Sequence, residues 1–263
     1  MIDGHIHLEY GPLDKDYVFA FIKEAKNKGL KEIQILDHTH RFVEFQPIYE
    51  NLRTYEIQDK WLDGKQKFCN TLDEFITLME EIKKMDIGIT ITYGLEVCYV
   101  PEYEMLLNTI LSSYSFDFLV GAVHSIDGIL YDMPFSKELL WDKYNVDYIY
   151  KRYYELVFDL IKSDLFSQLA HPDTIKLFNY YPTYDLKPTY HKLADLLNKH
   201  HVKAENNTGC YYRYHHKDMG LSNELLDVLL EHHVEIICAS DAHKPEHVGS
   251  YIQEIYNKTF PTQ

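Results

Sequence analysis

The sequence contains no apolar run that approaches the roughly 20 residues of a membrane-spanning helix, so we expect no membrane partner. It also has no excess of positive charge. Lys and Arg total 26 against 41 Asp and Glu, which gives a formal net charge of −15 at pH 7 with His neutral. Nucleic-acid binding depends on a basic surface, so we expect no nucleic-acid partner. A small anionic substrate stays compatible with this charge, because a bound cation reverses the local field.

Cysteine is sparse and scattered along the chain. The four cysteines form no C-x-x-C pair: Cys69, Cys98, Cys210 and Cys238. The N-terminal residues lack the pattern of a secretory signal. Together these features predict reduced thiols in a cytoplasmic protein.

Segments with the pattern of strands alternate with segments that have the pattern of helices. Apolar, strand-like stretches cover residues 1–8, 32–36, 89–97, 116–123, 166–170, 202–205 and 234–239. Helical patterns cover 16–28, 71–84, 102–112, 146–163, 188–199 and 222–230, and Pro245 is predicted to open a last helix. Such alternation indicates βαβ units and a parallel sheet. Seven units without a linker predict one TIM-like α/β barrel domain over 1–263, with its active site at the C-terminal ends of the strands.

The first strand carries two histidines, His5 and His7, separated by one position. Side chains at i and i+2 share a face of a strand, so both imidazoles can reach one metal ion. A single pair of this kind is weak evidence, because short strands carry such pairs by chance. Its weight comes from ligand-type residues that recur at the later strand ends: Asp37, His38, Glu96, His124, His171, Asn206, Asp241 and His243.

Each of these later residues has a structural alternative. Asp37 and Asp241 could be helix N-caps, and His124 and His171 could be core histidines with satisfied hydrogen bonds. Glu96 lies among apolar neighbours, where an unpaired carboxylate would be costly. Together they predict a metal site, because a barrel core has no structural need of imidazole at every strand end. All of these residue types bind hard or borderline cations.

The chain resembles the PHP (polymerase and histidinol phosphatase) superfamily through the order His5-Ile6-His7, Asp37-His38, Glu96, His124, His171 and Asp241-Ala242-His243. The match covers essentially the whole sequence, and the length is similar to that of the histidinol-phosphate phosphatases of the superfamily. The resemblance implies a distorted seven-stranded β/α barrel with a trinuclear metal centre. It implies a first metal bound by His5, His7, Glu96 and Asp241, a second shared through Glu96 with His124 and His171, and a third bound by His38 and His243.

One stretch departs from the family pattern. Family members commonly carry another histidine soon after the first pair, whereas residues 9–13 here read Glu-Tyr-Gly-Pro-Leu. The third position could be completed by His40, two residues beyond His38, or by Glu9, two beyond His7, or it could stay empty. The predicted cofactors are therefore two or three divalent ions, either Zn, Mn or Fe.

Hydrolysis of phosphate monoesters is the chemistry that such a centre suits. Two cations bridged by Glu96 could hold a hydroxide as the nucleophile. Arg213 or Arg152 could clamp the phosphoryl oxygens. Arg213 is the better candidate because it follows the sixth strand, although both could be surface residues. Asp37 and His243 are alternative proton donors to the leaving alkoxide.

Three functions compete. The resemblance and the chain length favour a histidinol-phosphate phosphatase of histidine biosynthesis, which acts on a small phosphorylated substrate. A PHP phosphoesterase acting on phosphotyrosine, a nucleotide, or a sugar or polyol phosphate is the second. The third is a non-catalytic metal-binding module, against which the intact ligand set argues. Specificity is expected to lie in the loops at 41–70, an irregular and aromatic-rich segment, and 125–144.

Overall fold

The computed structural model describes residues 1–261, and seven parallel strands form its central sheet. In sheet order these strands are β1 (Ile2–His7), β2 (Glu32–Leu36), β3 (Thr90–Cys98), β4 (Phe118–Ala122), β7 (Gln168–Leu169), β8 (Lys203–Asn207) and β9 (Ile236–Ala239). The short strands β5 (Ser125–Ile126) and β6 (Ile129–Leu130) form a separate antiparallel hairpin.

The sheet curls into a nearly closed barrel. β1 meets the segment after β9, where the His7 N–H donates to Ala242 O at 2.7 Å. The buried carboxylate of Asp3 stabilises this junction by accepting hydrogen bonds from the Ser240 N–H (2.8 Å) and the Gly249 N–H (2.7 Å). The seven-stranded barrel predicted from the sequence is therefore confirmed.

The helices connect the strands: α1 (Lys15–Asn27), α2 (Glu56–Leu62), α3 (Leu72–Lys83), α4 (Glu104–Ser112), α5 (Val146–Lys162), α6 (Lys187–His200), α7 (Gly209–Tyr214), α8 (Asn223–Glu231) and α9 (Ile252–Thr259). Local sequence explains the bounds of α1. The Asp14 side chain accepts a hydrogen bond from the Tyr17 N–H at its start, and Gly29 at φ +70° follows its end. Its apolar face buries Phe21 and Ile22, and full burial of such a side chain contributes about 1.5–3 kcal/mol.

Several short elements differ from the prediction. The helix predicted over 71–84 is present as α3, which starts with a capping box at Thr71. Segment 41–70 is more ordered than predicted, since 3₁₀ turns over Val43–Thr54 precede α2. The loop 125–144 contains the β5–β6 hairpin and a π-helical turn over Lys137–Trp141. The prediction that Pro245 opens the last helix is wrong, because Pro245–His247 is a 3₁₀ turn and α9 begins at Ile252. Elements this short depend on tertiary contacts, so their own periodicity does not reveal them.

The barrel places the strand ends where a site can form. All seven strands of the sheet are parallel, so their C-terminal ends meet at one end of the barrel. The ligand-type residues of the sequence follow those ends. Within residues 1–261, no helix combines the length and the apolar character that crossing a bilayer requires.

Candidate metal centre

β1 delivers His5 and His7 to the C-terminal end of the barrel. Both side chains are fully buried, and their Nε2 atoms lie 2.8 Å apart. A neutral imidazole carries one N–H and one lone pair, so two Nε2 atoms turned toward each other suit a shared cation or proton. The structure places both rings on one face of the strand, as the i, i+2 spacing predicts.

Glu96, on β3, lies among histidines from four other segments. Its Oε2 atom is 2.7 Å from His38 Nδ1 and 3.4 Å from His7 Nε2. Its Oε1 atom is 3.0 Å from His171 Nε2 and 3.2 Å from His124 Nε2. The two oxygens therefore face different histidines, which is the arrangement that a carboxylate needs to bridge two cations.

The buried charges of the centre set one another's ionisation. Burial raises the pKa of Glu96, but the surrounding histidines, led by His38, outweigh burial and hold that pKa well below its usual value. Burial lowers the pKa of His5, but Glu205 and Glu96 outweigh it and raise that pKa well above its usual value. For His7, burial and the neighbouring His38 both lower the pKa. Glu96 is thus anionic and His7 neutral, which are the forms that bind metals, whereas His5 has to lose a ring proton to bind one.

The residues after β9 complete this group. Asp241 Oδ1 lies 3.4 Å from His7 Nε2 and 3.8 Å from His5 Nε2. Arg213, on α7, places NH1 3.3 Å from Asp241 Oδ2 and 2.9 Å from His243 Nδ1. The structure therefore brings Arg213 to the ligand-type residues, and its two partners orient the guanidinium.

A third group lies around Glu9. Its Oε2 atom is 3.7 Å from His40 Nε2 and 3.9 Å from His38 Nε2, and its Oε1 atom is 3.5 Å from His243 Nε2. Glu9 and His40 are both buried. The two residues that the sequence offers as alternatives for the third position therefore lie together beside it.

The geometry of these residues fits divalent cations. Four sets of side chains place ligand atoms within 4.8 Å of one another: His5, His7 and Asp241; His38, Glu96 and His124; His7, His38 and His243; Glu9, His38 and His40. Within residues 1–261, the buried atoms His7 Nδ1 and Glu9 Oε2 have no hydrogen-bond partner. Unpaired buried polar atoms are costly, and coordination would remove that cost. Imidazole and carboxylate donors suit Zn, Mn and Fe.

Glu205, on β8, is a buried residue of the centre that the sequence pattern did not reveal. Its Oε1 atom accepts hydrogen bonds from His5 Nδ1 (2.7 Å) and Gln168 Nε2 (2.8 Å). Its Oε2 atom accepts from the His171 N–H (3.1 Å) and Asn207 Nδ2 (3.0 Å). Glu205 therefore orients the ring of the predicted ligand His5 directly and holds the backbone of the predicted ligand His171. In the sequence, the one feature that indicates a role for Glu205 is that an acidic residue stands within the strand predicted over 202–205.

Two predicted strand-end residues lie outside the group of possible ligands. Asp37 is fully buried, and its Oδ2 atom accepts a hydrogen bond from Arg41 NH1 at 2.8 Å. Its Oδ1 atom lies 3.6 Å from His7 Nδ1, and burial raises its pKa to about 6. Because Asp37 has no exposed surface, we do not retain it as a proton donor to substrate. Asn206 instead accepts a hydrogen bond from the Leu221 N–H at 2.9 Å.

Arg152, the alternative to Arg213 for binding substrate, lies away from the centre. Its Nε donates to Asp127 Oδ1 (2.9 Å) and its NH1 to Glu155 Oε2 (3.2 Å). It lines a separate depression of about 230 Å³. We do not retain a substrate-binding role for Arg152, because its guanidinium is paired with acidic residues outside the cavity of the centre.

The centre lies at the floor of a cavity of about 360 Å³. Segment 41–70 contributes Trp61 and Lys67 to its walls, and segment 125–144 contributes Asp132 and Met133. Tyr214, next to Arg213 on α7, also lines it. The volume lies in the range of small-molecule pockets, roughly 300–1,000 Å³. The two loops that were expected to set specificity thus reach the same cavity.

The fold and the site define the class of protein, which is a β/α barrel whose strand ends form a buried histidine and carboxylate centre suited to several metal ions. Within that class, the chain belongs to the PHP domain family, whose family model matches residues 3–209. The resemblance inferred from the ligand-type residues is therefore confirmed.

Comparison with known proteins gives relatives at modest identity. The chain is 26% identical over 243 residues to a Schizosaccharomyces pombe protein named "Probable histidinol-phosphatase", covering 87% of this chain and 75% of that one. It is 22% identical over 268 residues to the histidinol-phosphatase of Bacillus subtilis, covering 94% and 95% of the two chains.

A solved structure shares the fold. The histidinol phosphate phosphatase of Lactococcus lactis, complexed with Zn, L-histidinol and phosphate, superimposes with a TM-score of 0.72 over 98% of this chain and 92% of that one. The sequence identity is 16%, so this likeness shows the fold alone.

Proposed function

We propose that the protein is a metal-dependent phosphomonoester hydrolase and that histidinol phosphate, an intermediate of histidine biosynthesis, is its substrate. One observation carries the proposal: the buried Glu96 carboxylate turns each of its oxygens toward different histidines at the floor of a small-molecule cavity. The similarity to histidinol-phosphatases supports the choice of substrate.

The proposed ligands fall into three positions. His5, His7, Glu96 and Asp241 would hold a first ion, and Glu96 with His124 and His171 a second. The third position has His38, His243, Glu9 and His40 beside it. Divalent cations held there would neutralise charge on the phosphoryl oxygens and lower the pKa of water to make a nucleophile at neutral pH.

Arg213 and His243 carry the remaining roles in this proposal. Arg213 keeps its guanidinium at the cavity wall because Asp241 anchors it, and its other N–H groups can donate to phosphoryl oxygens. His243 lines the cavity, whereas Asp37 does not, so His243 is the one of the two that can reach the leaving alkoxide. Burial and the neighbouring His7 and Arg213 hold the pKa of His243 well below its usual value, so it would donate a proton only when the third position holds no ion.

The substrate assignment is tested by a panel of phosphate esters on metal-reconstituted protein. The panel contains histidinol phosphate, phosphotyrosine, nucleotides, and sugar and polyol phosphates. We expect kcat/KM for histidinol phosphate to exceed that for the other esters by at least about tenfold, which is a difference of about 1.4 kcal/mol in transition-state binding. A preference for another ester would leave the phosphoesterase proposal standing and overturn the substrate. Failure to cleave any ester would favour a metal-binding module.

The metal content is tested directly. Because the ligand atoms cluster within 4.8 Å in four sets, protein purified without chelators should contain about two or three equivalents of Zn, Mn or Fe per chain. Elemental analysis against protein concentration measures this number. Removal of the ions should lower the melting temperature, since a ligand that binds only the folded state stabilises it. Less than about one equivalent, with none recovered on reconstitution, would contradict the proposal.

A further inference from the structure

Lys67 brings an ammonium group to the third position of the centre. Its Nζ atom lies 2.9 Å from His40 Nε2 and 3.3 Å from His40 Nδ1. Lys67 and Arg213 are the lysine and arginine side chains that line the cavity within residues 1–261. Unlike Arg213, Lys67 comes from segment 41–70, so it is not part of the barrel's strand-end pattern.

Backbone pairing places Lys67 beside His40. The Phe68 N–H donates to His40 O at 2.8 Å, and the Cys69 N–H donates to Arg41 O at 2.9 Å. Segment 67–69 therefore runs alongside residues 40–41, and the start of the Lys67 side chain is held next to the His40 ring.

Trp61 supports the same arrangement from the other side. The Lys67 ammonium lies 4.0 Å from the centroid of the Trp61 ring, which is within the range of cation–π attraction. The Trp61 ring also meets the His40 ring edge-on, with 5.3 Å between centroids. One aromatic side chain thus contacts both the ammonium and the imidazole.

The same position has an unused acceptor. Glu9 Oε2 is buried without a hydrogen-bond partner and lies 3.7 Å from His40 Nε2 and 3.9 Å from His38 Nε2. The Glu9 residue is 6% exposed. An unpaired buried carboxylate oxygen beside two imidazoles indicates that a cation belongs there.

We propose that the Lys67 ammonium, held against His40, weakens the binding of a third metal ion at the position between Glu9, His38 and His40. The physical reason is charge. Nζ lies close to both nitrogens of the His40 ring, so an ion bound to that ring would lie near the ammonium. An ammonium group beside a divalent ion repels it, most strongly where water is excluded.

The proposal rests on the metal centre of the proposed function and refines it. The protein binds two ions tightly around Glu96, and the positive charge of Lys67 beside His40 disfavours a third. Lys67 thereby accounts for a family departure that the sequence leaves open, namely the missing histidine in residues 9–13.

The test compares metal binding by wild type and Lys67→Met across buffered Zn concentrations, with bound ions counted after rapid gel filtration. We expect about two tight ions in the wild type and a third in Lys67→Met whose affinity rises at least about tenfold, the size of effect that outer-sphere groups have on metal sites. Lys67→Arg, which keeps a positive charge, should behave as the wild type does. Lys65→Met is the matched control, because Lys65 lies on the same segment and is exposed.

A double variant locates the additional ion. Adding His40→Ala to Lys67→Met should abolish the gain, and a gain that persists would place the ion elsewhere and overturn the assignment. Equal numbers and affinities in the wild type and Lys67→Met would also overturn it. If instead Lys67→Met changes only KM for phosphate esters, Lys67 binds substrate and the proposal is wrong. Counting ions needs no catalysis, so absence of phosphatase activity would count against the proposed function and not against this inference.

Discussion

Replacing Glu96 with Gln is expected to lower kcat for phosphate ester hydrolysis by at least about 100-fold, in the range that removal of a key electrostatic group costs. The amide keeps the shape of the side chain but removes the charge that both neighbouring groups of histidines face. It also turns an NH₂ toward one of the two sets of histidines, where a metal ion would need a carboxylate oxygen. Steady-state kinetics and elemental analysis of the same sample measure both effects.

The control for this variant is Glu102→Gln, which removes an exposed carboxylate a few residues after the same strand. It should leave both kcat and metal content unchanged. If Glu96→Gln retains near wild-type turnover with its full metal complement, Glu96 is only a buried core carboxylate and the bridging role is wrong.

Replacing Glu205 with Gln is expected to weaken metal affinity about 10- to 100-fold, as loss of outer partners of metal-binding histidines typically does. Each Glu205 oxygen accepts two hydrogen bonds, from His5 and Gln168 on one side and from His171 and Asn207 on the other. Whichever way the new amide turns, its NH₂ group faces two donors. We therefore also expect the free energy of unfolding to fall by about 1–3 kcal/mol for each donor left unpaired.

Competition with a chelator measures the affinity of this variant, and urea unfolding measures its stability. Glu235→Gln is the matched control. Glu235 lies just before β9 and its exposed carboxylate pairs with Lys203 at 2.6 Å, so its loss should change neither metal affinity nor stability appreciably. If Glu205→Gln lowers stability but leaves metal affinity unchanged, Glu205 has a purely structural role.

Much of the fold follows from local patterns in this chain. The capping box at Thr71 and the Gly after α1 mark helix ends through backbone chemistry that acts over a few residues. Strand and helix periodicities alternate strongly enough to indicate a parallel barrel, and a parallel barrel brings strand ends together. That is why residues as distant in sequence as His7 and Asp241 could be expected to meet, and they do, at 3.4 Å.

Residues whose role depends on distant partners could not be assigned in this way. Asp37 follows a strand as the other ligand-type residues do, but its carboxylate accepts a hydrogen bond from Arg41 and does not line the cavity. The sequence favours Arg213 over Arg152 only by its place after the sixth strand, and their neighbours, Asp127 for Arg152 and Asp241 for Arg213, decide between them. Short elements such as α7 lack enough periodicity to predict, because they form against the rest of the protein.

The sequence by itself determined the barrel class, the PHP family and the set of ligand-type residues, because periodicity and strand-end position are properties of short stretches of chain. Only the tertiary structure decided that Glu205 holds His5, that Glu9 and His40 lie in one group, and that Lys67 joins them. The reason is physical. The electrostatic energy of a buried charge depends on which partners surround it within a few ångströms, and folding brings those partners from elements far apart in the chain.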